Sequence, residues 1–300
     1  MRDFSVEPID YASGVDDLRL VRETVFVHEQ QVPLEEEWDA LDPICHHVVA
    51  RDAQGRPIGT GRLTPQRRIG RMAVLREWRG RGVGDALLEA LLAQARRQQW
   101  PEVSLHAQVS AETFYARHGF LPEGERFTEA GIVHQGMRRR LDGAVAVEYP
   151  SAALAALVGL AAQARRSLMI YSRALDPGLL DAPTVLEALR RYATRPGPNE
   201  VRILLQDPAA PQQHLSPLLA LAQRLPSVFA FRAVTDPHDL AYPSAFVVND
   251  GGGYYFRPLG HRPDGETDLD GPARARQLRE EFARTWERAR PISEYRALGI

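Results

Sequence analysis

Between Arg68 and Leu92 the chain reads RIGRMAVLREWRGRGVGDALLEALL, and this order of patterns leaves few folds open. An apolar, strand-like run, Met72-Ala73-Val74, enters the turn Arg79-Gly80-Arg81-Gly82-Val83-Gly84. A helical pattern follows at once, with Leu87, Leu88, Leu91 and Leu92 on one face. A glycine-rich turn at a helix start leaves backbone N–H groups unpaired, and the positive end of the helix dipole adds to them, so the element suits a pyrophosphate. Glycine also admits turn angles that other residues resist and lets an anion approach the main chain. Two common phosphate loops are excluded. The chain has no lysine, all 37 of its basic residues being arginine, so a Gly-Lys-Ser/Thr loop is absent. A dinucleotide fingerprint begun at Gly80 meets Asp85 where glycine or alanine is needed.

What remains is Arg-x-x-Gly-x-Gly over residues 79–84, after a strand. It resembles the acetyl-CoA loop of the GNAT N-acetyltransferases. Downstream, Ala111-Glu112-Thr113-Phe114-Tyr115-Ala116-Arg117-His118-Gly119-Phe120 resembles the segment of that family in which a short helix ends in Tyr and Gly-Phe follows. Residues Val25 to Pro33, the acidic run to Asp42 with His47, and Gly131 to Met137 are similar to the ElaA/YjcF-like subgroup. The resemblance spans residues 2–141, about half the chain.

The resemblance implies a mixed α/β GNAT fold and acetyl-CoA as co-substrate, with no metal. It implies that the backbone of Met72, Ala73 and Val74 follows the pantetheine arm and that Arg79, Gly80, Arg81, Gly82, Val83 and Gly84 surround the pyrophosphate. Tyr115 becomes the acid that protonates the departing thiolate. An incoming ammonium must first lose a proton. Glu29, at the end of the first helical pattern, matches the subgroup and is the first choice of base; Glu35, Glu37, Asp42 and His47 are the others.

Charge placement agrees with such chemistry. Seven arginines between Arg62 and Arg81 form a basic rim beside the loop, as the phosphates of coenzyme A require. The acidic run Glu35-Glu36-Glu37-Trp38-Asp39-Ala40-Leu41-Asp42 is expected to draw a cationic amine, small molecule or peptide. The net charge of −2 points to neither nucleic acid nor membrane as partner. There is no apolar run long enough for a membrane span and no signal-like start, so a cytoplasmic location is expected. Cys45, the single cysteine, excludes an intrachain disulfide and a cysteine-based metal site, and reads as a buried strand residue.

Three hundred residues suit two domains. The first, residues 1–142, reads strand 4–9, helix 14–31, strands 44–51, 57–64 and 69–74, helix 85–99, strand 103–108, short helix 111–118, a strand from 119, and strand 134–141. A boundary falls over 142–151. The second, residues 151–300, is a further α/β domain: helix 152–166, strand 168–172, helix 184–195, strand 200–206, helix 212–224, strands 228–233, 244–248 and 254–257, and a long helix 272–289. This layout resembles the phospholipase D-like fold without its His-x-Lys-x4-Asp motif. His214, His238 and His261 are each followed two residues later by Ser, Leu and Pro, so the expectation is a binding or oligomerisation module, a homodimer included. Two alternatives to catalysis stay open. One is an acyl-CoA sensor whose second domain relays the signal. The other is nucleotide binding through Arg165, Arg166, Arg190 and Arg191, which near-neutral charge disfavours.

Overall fold

A computed structural model of the chain describes residues 3–295. These fall into two compact units. The first runs as far as Val109 and resumes over Glu123–Asp142; the second holds Ser110–Pro122 and everything from Gly143 onward.

Unit one is a seven-stranded sheet of β1 (Phe4–Ile9), β2 (His46–Asp52), β3 (Pro57–Leu63), β4 (Arg68–Val74), β5 (Glu102–Gln108), β6 (Leu121–Glu129) and β7 (Ile132–Arg140). The spatial order is β1-β2-β3-β4-β5-β7-β6, antiparallel except where β4 and β5 run parallel. Helix α1 (Tyr11–Arg22) is capped by Asp10, whose carboxylate accepts from Ser13 N–H. It runs on into a π-helical stretch, Glu23–Glu29, in place of the single regular helix expected. Val21 and Val25 of this segment pack on Ala73. A four-residue helix α2 (Leu34–Glu37) follows. The helix α3 (Val83–Arg97) buries Leu87, Leu88, Leu91 and Leu92, the stripe its sequence spacing predicts. It lies close because β3 offers no side chains there. A Cβ on Gly61 would meet Leu91 at 2.9 Å, and one on Gly59 would meet Leu87 at 3.0 Å.

Unit two begins with α4 (Glu112–Arg117), part of the segment on which the sequence places Tyr115. Its sheet comprises β8 (Val145–Val147), β9 (Ser167–Ser172), β10 (Glu200–Leu205), β11 (Phe229–Ala233), β12 (Ala245–Asn249), β13 (Tyr254–Arg257), β14 (Gly265–Asp268) and β15 (Arg290–Pro291). The order is β15-β11-β10-β9-β12-β13-β14-β8, with β9, β10 and β11 parallel. Strand β8 lies within the stretch expected to be a bare boundary, and it completes the sheet edge against β14. The helices are α5 (Pro150–Gln163), α6 (Pro183–Ala193), α7 (Ala210–Gln213), α8 (Pro217–Arg224), α9 (Pro237–Leu240) and α10 (Pro272–Arg288). The single helix expected over 212–224 is two, because Leu215 turns to φ +50° and Pro217 opens a new first turn. Phe246 and Val248 of β12 join Leu278, Phe282 and Trp286 of α10 in one core. On the other face of that strand Asn249 donates to Leu160 O of α5.

Helix α5 carries Gly159 where α4 crosses it, and a Cβ there would stand 2.9 Å from Ala116 O. Gly159→Leu should therefore push α4 off α5 and destabilise unit two by about 1–3 kcal/mol, read as a lowered thermal midpoint, despite leucine's better helix propensity.

Candidate active site

The sheet of unit one opens at one place. β4 and β5 pair only at Arg68↔Ser104 and Ile69↔Leu105. Beyond them β4 stays with β3 and β5 stays with β7. The cause is a β-bulge: Thr60 faces Ala73 and Arg62 faces Gly70, so Gly61 alone opposes both Arg71 and Met72. Arg71 takes φ +50°, and its guanidinium leaves the strand to donate to the carbonyls of Glu36 and Glu37, each at 3.0 Å. The main chain of Met72, Ala73 and Val74 thus borders a split in the sheet.

At the end of β4 lies the glycine-rich turn. Gly80 and Gly82 have φ of +75° and +83°, values that favour glycine, and nothing stands within 4 Å of a Cβ on either. Gly82 is the N-cap of the 15-residue α3 and, being glycine, makes no side-chain cap; Asp85 stands in the first turn. An open helix N-terminus beside an open strand edge fits the pyrophosphate and pantetheine of an acyl-CoA.

The two arginines of the turn brace it. Arg79 donates to both carboxylate oxygens of Glu29, at 2.6 and 2.7 Å, and through Nε to Val74 O at 2.9 Å. Arg81 stacks on Trp78, 4.1 Å from its ring centre, and binds the Asp3 carboxylate. The Arg79 bonds hold Glu29 below the usual carboxylate range. That makes Glu29 a poor proton acceptor, whatever its match to the subgroup pattern.

The acidic segment is not a free anionic wall. Arg22, fully buried, donates from Nε to Glu37 at 2.5 Å and from Nη1 to Asp42 at 2.9 Å, with its guanidinium 3.9 Å over the Trp38 ring. Arg62 binds Asp39 and Asp42 at 2.9 and 2.8 Å, and Arg71 reaches Glu37 at 3.3 Å. Three arginines meet three carboxylates, so Glu37, Asp39 and Asp42 offer little net field to an amine. Burial pushes Glu37 above its usual range; in Asp42 burial acts the same way but the Arg22 and Arg62 bonds outweigh it and hold the carboxyl low. His47 is buried, and its Nε2–H donates to Asp42 O at 2.8 Å. Glu35 and Glu36 remain exposed.

Tyr115 is 8% exposed and packs edge-on to Phe114 and Phe120, with ring centres 4.9 and 5.9 Å away. Burial pushes its hydroxyl up to about 12. Unit one thus brings together Met72–Val74, Arg79–Gly84 and Glu29, whereas Tyr115 is packed within unit two. Cys45 is half-buried, and burial raises its thiol. Sequence reasoning passed over His106 and Glu129, on β5 and β6. The alternation of β5, with Val103, Leu105 and Ala107 inward, was the available signal that His106 faces outward. Among the described residues no helix is long and apolar enough to cross a membrane.

Residues 15–141 match the model of the acetyltransferase (GNAT) domain, and residues 149–298 that of a domain of unknown function (DUF7931). The chain belongs to the GNAT acetyltransferase family and carries this second domain behind it. It is similar to the uncharacterised N-acetyltransferase YjcF of Bacillus subtilis, 39% identical over 123 residues, which are 40% of this chain and 87% of that one. Among solved structures it is similar to an acyl-CoA N-acyltransferase from Pseudomonas aeruginosa, at 33% identity over 45% of this chain and 99% of that one, with a TM-score of 0.42. Escherichia coli ElaA is 27% identical over the same shares, with a TM-score of 0.41.

Two outcomes test the arginine network. Arg22→Met should destabilise the protein by ~3–5 kcal/mol in denaturant titration, because Glu37 and Asp42 lose their buried partner. Burial lowers the pKa of His47, as it does that of His46. Near and below the unfolded-state value of about 6.5 the unfolded chain then binds more protons, so stability is full above that pH and falls on acidification. His47→Gln should flatten the decline of the thermal midpoint between about pH 7 and pH 5.

Proposed function

We propose that this protein is an acetyl-CoA-dependent N-acetyltransferase that transfers the acetyl group directly to an amine. The observation that carries the reading is the opening of the sheet beside β4, joined at its end to a glycine-lined helix start. In this reading the exposed main chain of Met72–Val74 pairs with the pantetheine amides as an added strand would. The N–H groups of Gly80–Gly84 take the pyrophosphate. Arg79 and Arg81 hold the turn in shape, each being already engaged with a carboxylate. A backbone N–H at the opening polarises the thioester carbonyl. Tyr115, with a hydroxyl that stays protonated throughout the physiological range, supplies the proton to the departing sulfur.

The amine is a small molecule or a peptide end, recognised without a net acidic wall. The second unit acts as a binding or regulatory module.

Calorimetry on the full chain tests this reading. Acetyl-CoA should bind, and Gly82→Glu should weaken it at least about 10-fold, because a side chain at φ +83° is strained and its carboxylate repels phosphate. Tyr115→Phe should leave that affinity intact and lower turnover. Absence of binding to the folded full-length protein would sink the proposal.

A further inference from the structure

A histidine outside the sequence motifs stands at the opening of the sheet. Leu105 makes the last pair between β5 and β4, and His106 is the next residue. Along β5 the side chains of Val103, Leu105 and Ala107 are buried on one face, while Ser104, His106 and Gln108 share the other. Gln108 donates to Gln30 Oε1 at 2.9 Å, so this face is the one beside the end of the first helical segment. His106 therefore borders the split opposite the free edge of β4.

Its ring is fixed. Nδ1 lies 3.0 Å from Glu129 Oε2, and the ring stands edge-on to Phe127 with centres 4.6 Å apart. A carboxylate only accepts, so Nδ1 carries a proton, and in the neutral ring the lone pair is then on Nε2. The side chain is 30% exposed. The charged and titratable groups around the pair are His134 on β7 and Arg68 on β4.

Of the other candidate bases Glu35 is exposed on α2, away from β5, and the rest are engaged. Both oxygens of Glu29 accept from Arg79. Glu37 and Asp42 are tied to Arg22, and His47 spends its Nε2–H on Asp42 O. His134 bonds Ile132 O through Nδ1 and lies within electrostatic reach of the same Glu129 carboxylate. On β7 it faces Gln108, one strand further from the split.

We propose that His106, oriented by Glu129, takes the proton from the acceptor amine. This rests on the acetyltransferase reading. The ammonium gives one proton to Nε2, and the imidazolium so formed is held by Glu129 until the proton passes to water. The acceptor nitrogen then bonds to the acetyl carbon as the carbon–sulfur bond breaks. The sulfur gains a proton from Tyr115, and the second proton shed by the nitrogen restores the Tyr115 hydroxyl through solvent. The sum is an ammonium and a thioester giving an amide, a thiol and one released proton. His106 is the catalytic residue in this scheme, and Glu129 is a positioning residue.

The test uses the full chain. In the spectrum of the 15N-histidine-labelled protein at neutral pH, the ring signal missing from His106→Gln should be that of a neutral imidazole protonated at Nδ1. His106→Gln should keep acetyl-CoA affinity within about twofold by calorimetry yet lower thiol release, with hydroxylamine and benzylamine as probe acceptors, at least about 10-fold for benzylamine. Hydroxylamine, largely unprotonated at neutral pH, should be much less affected. His134→Gln should stay within about twofold on every readout. Glu129→Gln, which still accepts from Nδ1–H, should retain more of the benzylamine rate than Glu129→Leu. A proton on Nε2, or an undiminished benzylamine rate in His106→Gln, would overturn the assignment. If the wild type releases no thiol with either probe, the ring tautomer decides it. Failure of the wild type to bind acetyl-CoA would instead overturn the acetyltransferase reading itself.

Discussion

A strand cannot hold an extra residue opposite a regular neighbour without bending, and β4 takes that bend where Gly61 faces both Arg71 and Met72. The consequences run in both directions from the bulge. Toward β5, pairing ends at Ile69↔Leu105, and the main chain beyond it becomes available to something other than a strand. Toward α2, the displaced Arg71 side chain fixes the carbonyls of Glu36 and Glu37 and so holds the acidic segment against the sheet. A parallel neighbour that stayed paired along its whole length would close the opening and leave the glycine-rich turn at the end of an ordinary sheet.

The absence of lysine changes what a buried cation can do here. A lysine taken out of water can shed its proton; an arginine stays charged and must be matched. Arg22, Arg62 and Arg71 are matched by Glu37, Asp39, Asp42 and two backbone carbonyls. Such a network adds little net stability over an apolar core of the same shape, but it admits few alternative arrangements. It fixes the segment between the first helix and β2 while removing most of that segment's charge from solution. Arg79 does the same for Glu29 at the mouth of the turn.

Much of this was legible in the chain. The period of Leu87, Leu88, Leu91 and Leu92 gave α3, and the glycines at 80 and 82 marked the turn, since local patterns report local structure. The bounds of β1 agree with the alternation that predicts it, and those of β13 with the run expected after the glycine-rich turn. Partnership was not legible. Nothing in the order of residues says that Arg79 reaches back fifty positions to Glu29, or that His106 meets Glu129 across the sheet. The acidic run looked like a surface because its arginine partners lie 15 to 35 positions away. Short strands such as β8 and β14 escaped for a related reason: three or four residues carry too little alternation to stand out, and pairing defines them.

The close approach at Gly159 has a bearing on how this protein is divided. The helix with the Tyr and Gly-Phe signature lies on α5, so a fragment ending at Asp142 keeps the signature's letters but loses the surface it rests on. Sequence families draw a border after residue 141, whereas packing interleaves the two halves of the polypeptide. The second half is therefore part of the scaffold of the first family's motif and not an appendage.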